Sequence, residues 1–112
     1  MDSSTRGAIA ELITKAHFLV EGYNVYDQIT GKEKHDMIIE KDGLLETVEV
    51  KSTTIIKNNS WFVKLRKTSG NNCRSMHDCD VLALYIVKED RLVIKRGIKN
   101  RASISIKMEE EE

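Results

Sequence analysis

Apolar residues recur at helical spacing near the start of the chain, where Ile9, Leu12, Ile13, Ala16, Leu19 and Val20 share a stripe. This predicts a helix beginning near Arg6, capped by Ser3, Ser4 or Thr5 and ended by Gly22. Beyond Gly22 the period shortens toward two. A short strand is expected over 23–28, a polar loop with Gly31 over 29–34, and a strand over 35–40. Lys41-Asp42-Gly43 reads as a tight turn into a partner strand over 44–53. A polar loop with Asn58-Asn59 covers 55–60, and 61–67 alternates as a strand. Residues 68–74, with Gly70, Asn71 and Asn72, are expected to be mobile, and 75–79 to form a short helix or turn. The continuous apolar run 81–87 predicts a buried central strand, and Glu89-Asp90 turns the chain into a last strand over 92–96. The order helix, four strands, short helix, two strands is that of an α/β fold with a mixed sheet flanked by helices.

A chain of 112 residues, 40% of them apolar, can build one modest core. We expect a single domain over 1–107 and a disordered acidic tail over 108–112. No stretch approaches the roughly 20 apolar residues of a membrane span, and the polar opening MDSSTRG lacks a signal peptide's apolar run. The expected setting is therefore the cytoplasm. Charge changes the picture more. The net charge of zero hides an acidic first half, with 6 Lys/Arg against 10 Asp/Glu over 1–56. Residues 57–107 carry 12 against 4, a net of +8, and Glu109 to Glu112 restore neutrality. A basic surface suits a polyanion and clustered carboxylates suit a divalent metal; a nuclease needs both.

The candidate chemistry lies on the predicted hairpin. Glu49 and Lys51 project to one face of their strand while Val50 points to the other, and the turn brings Asp36 back beside them. Asp36 and Glu49 offer hard oxygen ligands for Mg2+, for which Mn2+ is expected to substitute, and the Val50 carbonyl adds a further oxygen. Such an ion polarises a phosphate and acidifies bound water, while Lys51 orients or deprotonates the attacking water or neutralises charge on the phosphate. The plain alternative is an exposed charged hairpin, with cross-strand pairs worth under about 1 kcal/mol. Apolar runs flanking all three residues argue instead for partial burial.

His35-Asp36, twelve intervening residues, then Glu49-Val50-Lys51 resembles the pattern of the PD-(D/E)XK nuclease superfamily, with His35 where a proline is usual. Gly7-Ala8-Ile9-Ala10-Glu11 is similar to the opening of that family's first helix. The resemblance implies a restriction-endonuclease-like fold and a metal-dependent endonuclease cutting phosphodiester bonds. It also implies that Glu11 is a third acidic ligand and that Gln28 lies near the scissile phosphate. Within the superfamily the chain resembles compact intron-associated homing endonucleases and archaeal-type Holliday-junction resolvases. Asp80 to Tyr85 and the following turn are closer to the former, although that group often has Gln where Glu49 stands. Phage or mobile-element origin suits so small a nuclease. The similarity spans about residues 5–96.

Lys57, Lys64, Arg66, Lys67 and Arg74 are the candidate DNA contacts, with Lys64 and Arg66 expected on one face of the 61–67 strand. Cutting both strands of a duplex calls for two active sites, hence a homodimer or homotetramer. A catalytically silent DNA-binding module is the rival of another class; its mark would be a missing ligand, and none is missing. Trp61 is expected in the core. Cys73, His77 and Cys79, with Asp78 or Asp80, match no common zinc spacing, so two reduced thiols and a surface histidine are expected.

Overall fold

The computed structural model describes residues 1–31, 35–69, 72–75, 79–98 and 101–109, with 66–69 and 72–75 described as backbone only. Helix α1 (Ser3–Val20) is capped by Asp2, whose Oδ1 accepts from the Thr5 N–H at 2.7 Å. Asp2, not the expected Ser3, Ser4 or Thr5, takes this place, because an ionised acceptor also meets the positive end of the helix dipole. At the other end Gly22 takes φ 88°, and the N–H groups of Gly22 and Tyr23 donate to Leu19 and Phe18. These are the paired bonds of a Schellman closure, and the Phe18 and Tyr23 rings meet edge to face across it at 5.2 Å.

The packed side of α1 is not the stripe read from the sequence. Ala10, Thr14 and Phe18 are its buried residues, while Leu12, Leu19 and Val20 are 64%, 59% and 86% exposed. Ala10 and Thr14 are small enough to let the helix lie close on the sheet. The Thr14 hydroxyl is satisfied by the Ala10 carbonyl at 2.7 Å. Phe18 fills the wider end against Met37, Val48, Val81 and Ala83.

The strands in chain order are β1 (Asn24–Asp27), β2 (Met37–Lys41), β3 (Leu44–Thr53), β4 (Ile56–Lys57), β5 (Ser60–Lys64), β6 (Arg66–Ser69), β7 (Asn72–Ser75), β8 (Val81–Ile86), β9 (Arg91–Arg96) and β10 (Ser103–Lys107). A 3-10 turn, Val87–Glu89, links β8 to β9. The main sheet has the order β1-β2-β3-β8-β9 and is mixed: β3 pairs parallel with β8, and every other pair is antiparallel. The β2–β3 hairpin closes through Asp42 and Gly43 at φ 53° and 83°, the positive-φ pair whose twist matches flanking strands.

The sheet is covered differently on its two faces. Val48, Val81 and Ala83 face α1, whereas Leu82, Leu84 and Ile86 face a second, three-stranded sheet of order β10-β5-β4. Trp61, Val63, Ile104 and Ile106 point inward from that sheet, and Trp61 is 2% exposed, in the core as expected. Among the described residues α1 is the only α-helix. Residues 76–78 of the expected second helix lie outside the described residues.

Three sequence expectations change here. The 61–67 strand breaks at Leu65, which is buried and donates its N–H to the Ala102 carbonyl at 2.8 Å. Lys64 and Arg66 therefore belong to different strands of different sheets. The expected mobile stretch holds the strand pair β6–β7, in register from Arg66↔Ser75 to Ser69↔Asn72. Finally, 97–107, for which no element was expected, holds β10, which completes the second sheet, and Met108, expected in the tail, packs on its core.

Candidate active site

Glu49 and Lys51 stand where the sequence places them, on one face of β3, with Lys51 Nζ 3.6 Å from Glu49 Oε1. Their side chains are 29% (Lys51) and 19% (Glu49) exposed, so this is not the freely solvated hairpin face of the plain alternative. Val50 points the other way and packs toward the α1 side.

Asp36 immediately precedes β2. Its N–H donates to the Val48 carbonyl at 3.1 Å, and its Oδ2 accepts from the Val50 N–H at 2.7 Å. Backbone groups of alternate strand residues face the same edge. The Val50 carbonyl is therefore on the Asp36 side of β3, as Val48's is, and joins the oxygens on that side. Glu11 comes from α1 to meet Asp36. Burial first, and the Asp36 carboxylate second, raise the Glu11 pKa above its ordinary value of 4.5, against a lowering effect of Lys15. A carboxyl group whose ionisation a neighbouring carboxylate opposes makes a place for a cation, and an all-oxygen donor set suits a hard one.

The four expected ligands thus lie in two parts: Glu11 and Val50 with Asp36, and Glu49 beside Lys51. Among the described residues no three His, Cys, Asp or Glu side chains form a metal cage by themselves. Gln28 is tied to the residue next to Asp36, its side-chain amide donating to the His35 carbonyl. Lys15, one helical turn after Glu11, forms a 2.7 Å ion pair with Asp27. Sequence reading missed Lys15, although its i+4 relation to Glu11 was visible.

Of the expected DNA contacts, Lys57 lies on β4, 4.5 Å over the Phe62 ring, and Lys64 ends β5 exposed. Arg66 and Lys67 lie on β6 and Arg74 on β7, with side chains outside the described residues. The same holds for Cys73 and His77. Cys79 is buried in the core. The Asp80 carboxylate accepts from the Thr47 N–H and hydroxyl at 2.9 and 3.2 Å, joining β3 to the start of β8.

A helix over a mixed sheet, with an acidic residue entering a hairpin whose second strand bears Glu-x-Lys, defines the restriction-endonuclease-like class. The chain matches the PD-(D/E)XK endonuclease family over residues 1–112 and belongs to it. It is 33% identical over 104 residues to Protein 5.3 of Escherichia phage T7, covering 89% of this chain and 86% of that protein. Its fold superposes on the structure of a bacterial homing endonuclease, I-Ssp6803I, with a TM-score of 0.78. That match covers 97% of this chain and 80% of the other at 20% identity, a likeness of fold. Among the described residues no helix is long and apolar enough to cross a membrane.

Proposed function

We propose that this chain is a Mg2+-dependent endodeoxyribonuclease that hydrolyses phosphodiester bonds of duplex DNA at the site formed by Glu11, Asp36, Glu49 and Lys51. The observation that carries the proposal is the 2.7 Å bond from the Val50 N–H to Asp36 Oδ2. It seats one carboxylate at the strand edge between Glu49 and Lys51, and Glu11 adds another. Glu11, Asp36, Glu49 and the Val50 carbonyl would hold the ion, and Mn2+ would serve in its place. When bound, such an ion supplies Lewis-acid polarisation of the phosphate and acidifies coordinated water. The protein's own groups do the rest. Lys51 places its ammonium against the phosphate, where negative charge grows during attack on phosphorus. Glu49, 3.6 Å from that ammonium, aims it. Gln28 steadies the backbone that presents Asp36.

Cutting both strands calls for two such sites, so the working enzyme is a homodimer or homotetramer, which sedimentation with duplex would reveal. The relatives fit a phage-borne or mobile enzyme acting in a host cytoplasm. The test compares wild type with E49A/K51A on plasmid, linear duplex, single strand and a four-way junction, with Mg2+, Mn2+ or EDTA. Metal-dependent cutting by wild type alone is expected, on duplex. Preference for the junction would make the protein a resolvase instead, and binding without cutting of any substrate would make it a silent DNA-binding module.

A further inference from the structure

The second sheet has a face that catalysis does not use. Trp61, Val63, Ile104 and Ile106 point into the core, so strand alternation turns Phe62 and Lys64 of β5, and Ser103, Ser105 and Lys107 of β10, outward. Lys57 of β4 joins them, because its ammonium sits 4.5 Å over the Phe62 ring. The register sets Lys64 opposite Ser103 and Phe62 opposite Ser105. Among the described outward residues of these strands there is no carboxylate. Serines keep the middle of the face low, and the one aromatic ring is roofed by a lysine stem, leaving cationic charge at the surface. In a chain whose first half is acidic, this is a concentrated cationic surface.

The second sheet is also attached to the strand that carries the candidate active site. Glu49, Lys51 and Thr53 share one side of β3, and the Thr53 hydroxyl donates to the Phe62 carbonyl at 2.6 Å. Two residues of strand, about 7 Å at a rise of roughly 3.3 Å each, separate Lys51 from the attachment point of the second sheet. That is about two nucleotide steps of DNA, at roughly 3.4 Å per step along one strand. A duplex presenting a phosphate to Lys51 therefore passes close to the edge of this sheet.

Resting on the nuclease reading above, we propose that the outward face of β4, β5 and β10 binds the duplex beside the cleavage site, with Lys57 and Lys64 neutralising phosphates next to the scissile one. These are phosphate contacts, which position the duplex without reading its sequence.

The test measures binding of a fluorescent duplex in EDTA over a series of salt concentrations, for wild type, K57A/K64A and a control pair K41A/K88A. Both pairs remove two exposed lysines, and thermal melting checks that each variant is folded. Each neutralised phosphate contributes about 0.9 to the slope of log affinity against log salt. K57A/K64A is expected to lower that slope by about 1.8 and to weaken binding at least ~10-fold at low salt, with the control close to wild type. A K57A/K64A slope equal to the control's would overturn this proposal and leave the E49A/K51A result standing. The same loss on single strands, with no loss on duplex, would overturn the assignment to duplex. Wild type that neither binds nor cuts DNA would remove the nuclease reading as well.

Discussion

Asp36 does two things at once, and two substitutions separate them. Its carboxylate takes the Val50 N–H at 2.7 Å in a partly buried place, and it stands against Glu11. A hydrogen bond to an ionised group is worth about 1.5–3 kcal/mol, and a neutral one about 0.5–1.5 kcal/mol. Asp36→Asn keeps an oxygen for Val50 and removes the charge that opposes Glu11. The weaker bond and the relieved repulsion offset one another, so the net change is expected to stay within about 1 kcal/mol. Asp36→Ala leaves the Val50 N–H without its acceptor, at a cost of about 1–3 kcal/mol. At about 4 °C per kcal/mol for a domain of this size, Ala lowers Tm by roughly 4–12 °C and Asn by at most about 4 °C. Calorimetry in EDTA reads the stability, and plasmid cleavage in Mg2+ reads the chemistry. Both variants are expected to be inactive, only one of them much less stable. If Asn melts as low as Ala, the bond to Val50 is not what holds this corner; if Asn cuts like wild type, the carboxylate is no ligand.

Two pH dependences follow from the shifted carboxyl groups. The Glu11 pKa is raised by burial and then by Asp36, so the folded protein binds that proton more tightly than the unfolded chain does. Stability from this group is present below 4.5 and lost as pH rises through the raised value; Glu11→Gln is therefore expected to melt higher than wild type at pH 7 in EDTA and to gain less from Mg2+. Equal melting at all pH values would refute the coupling. Glu89 is the opposite case. Burial raises its pKa, but bonds from the Trp61 indole, the Glu109 N–H and Arg91 outweigh that and leave it below 4.5. Its contribution is present above 4.5 and lost as pH falls through the lowered value, so urea midpoints of Glu89→Gln should change less with acidification than those of wild type.

The hairpin was readable because two signals agreed. Alternation over 44–53 and the Asp42-Gly43 pair both demand it, and β3 runs over those residues. With the hairpin came the placement of Asp36, Glu49 and Lys51. The packed side of α1 was not readable, since apolar residues occur all around that helix. Close approach favoured the small Ala10 and Thr14 over the larger Leu12 and Leu19, and helical spacing carries no information about approach distance. β10 was missed although Ser103-Ile104-Ser105-Ile106-Lys107 alternates cleanly, because two isoleucines among small and charged neighbours make a weak apolar signal. The break at Leu65 has no local mark in the sequence. It follows from a tertiary bond to Ala102.

The spacing of the motif has a mechanical origin. Five residues of β2, two of the turn and five of β3 account for the twelve between Asp36 and Glu49. The β2–β3 register ends at Met37↔Val48, while on its other edge β3 stays paired with β8 as far as Thr53. Glu49, Val50 and Lys51 therefore lie where the central strand is held on one side and has run out of strand partner on the other. The Val50 N–H on that open side would lack an acceptor, and Asp36 supplies one. The bond that completes the sheet's hydrogen bonding is also the bond that seats the acidic residue. Rigidity comes from β8 and access from the missing continuation of β2. A longer hairpin would keep the same arrangement provided its last pair still fell immediately after Asp36 and before Glu49, so it is the closing pair, not the count of twelve, that sets the geometry.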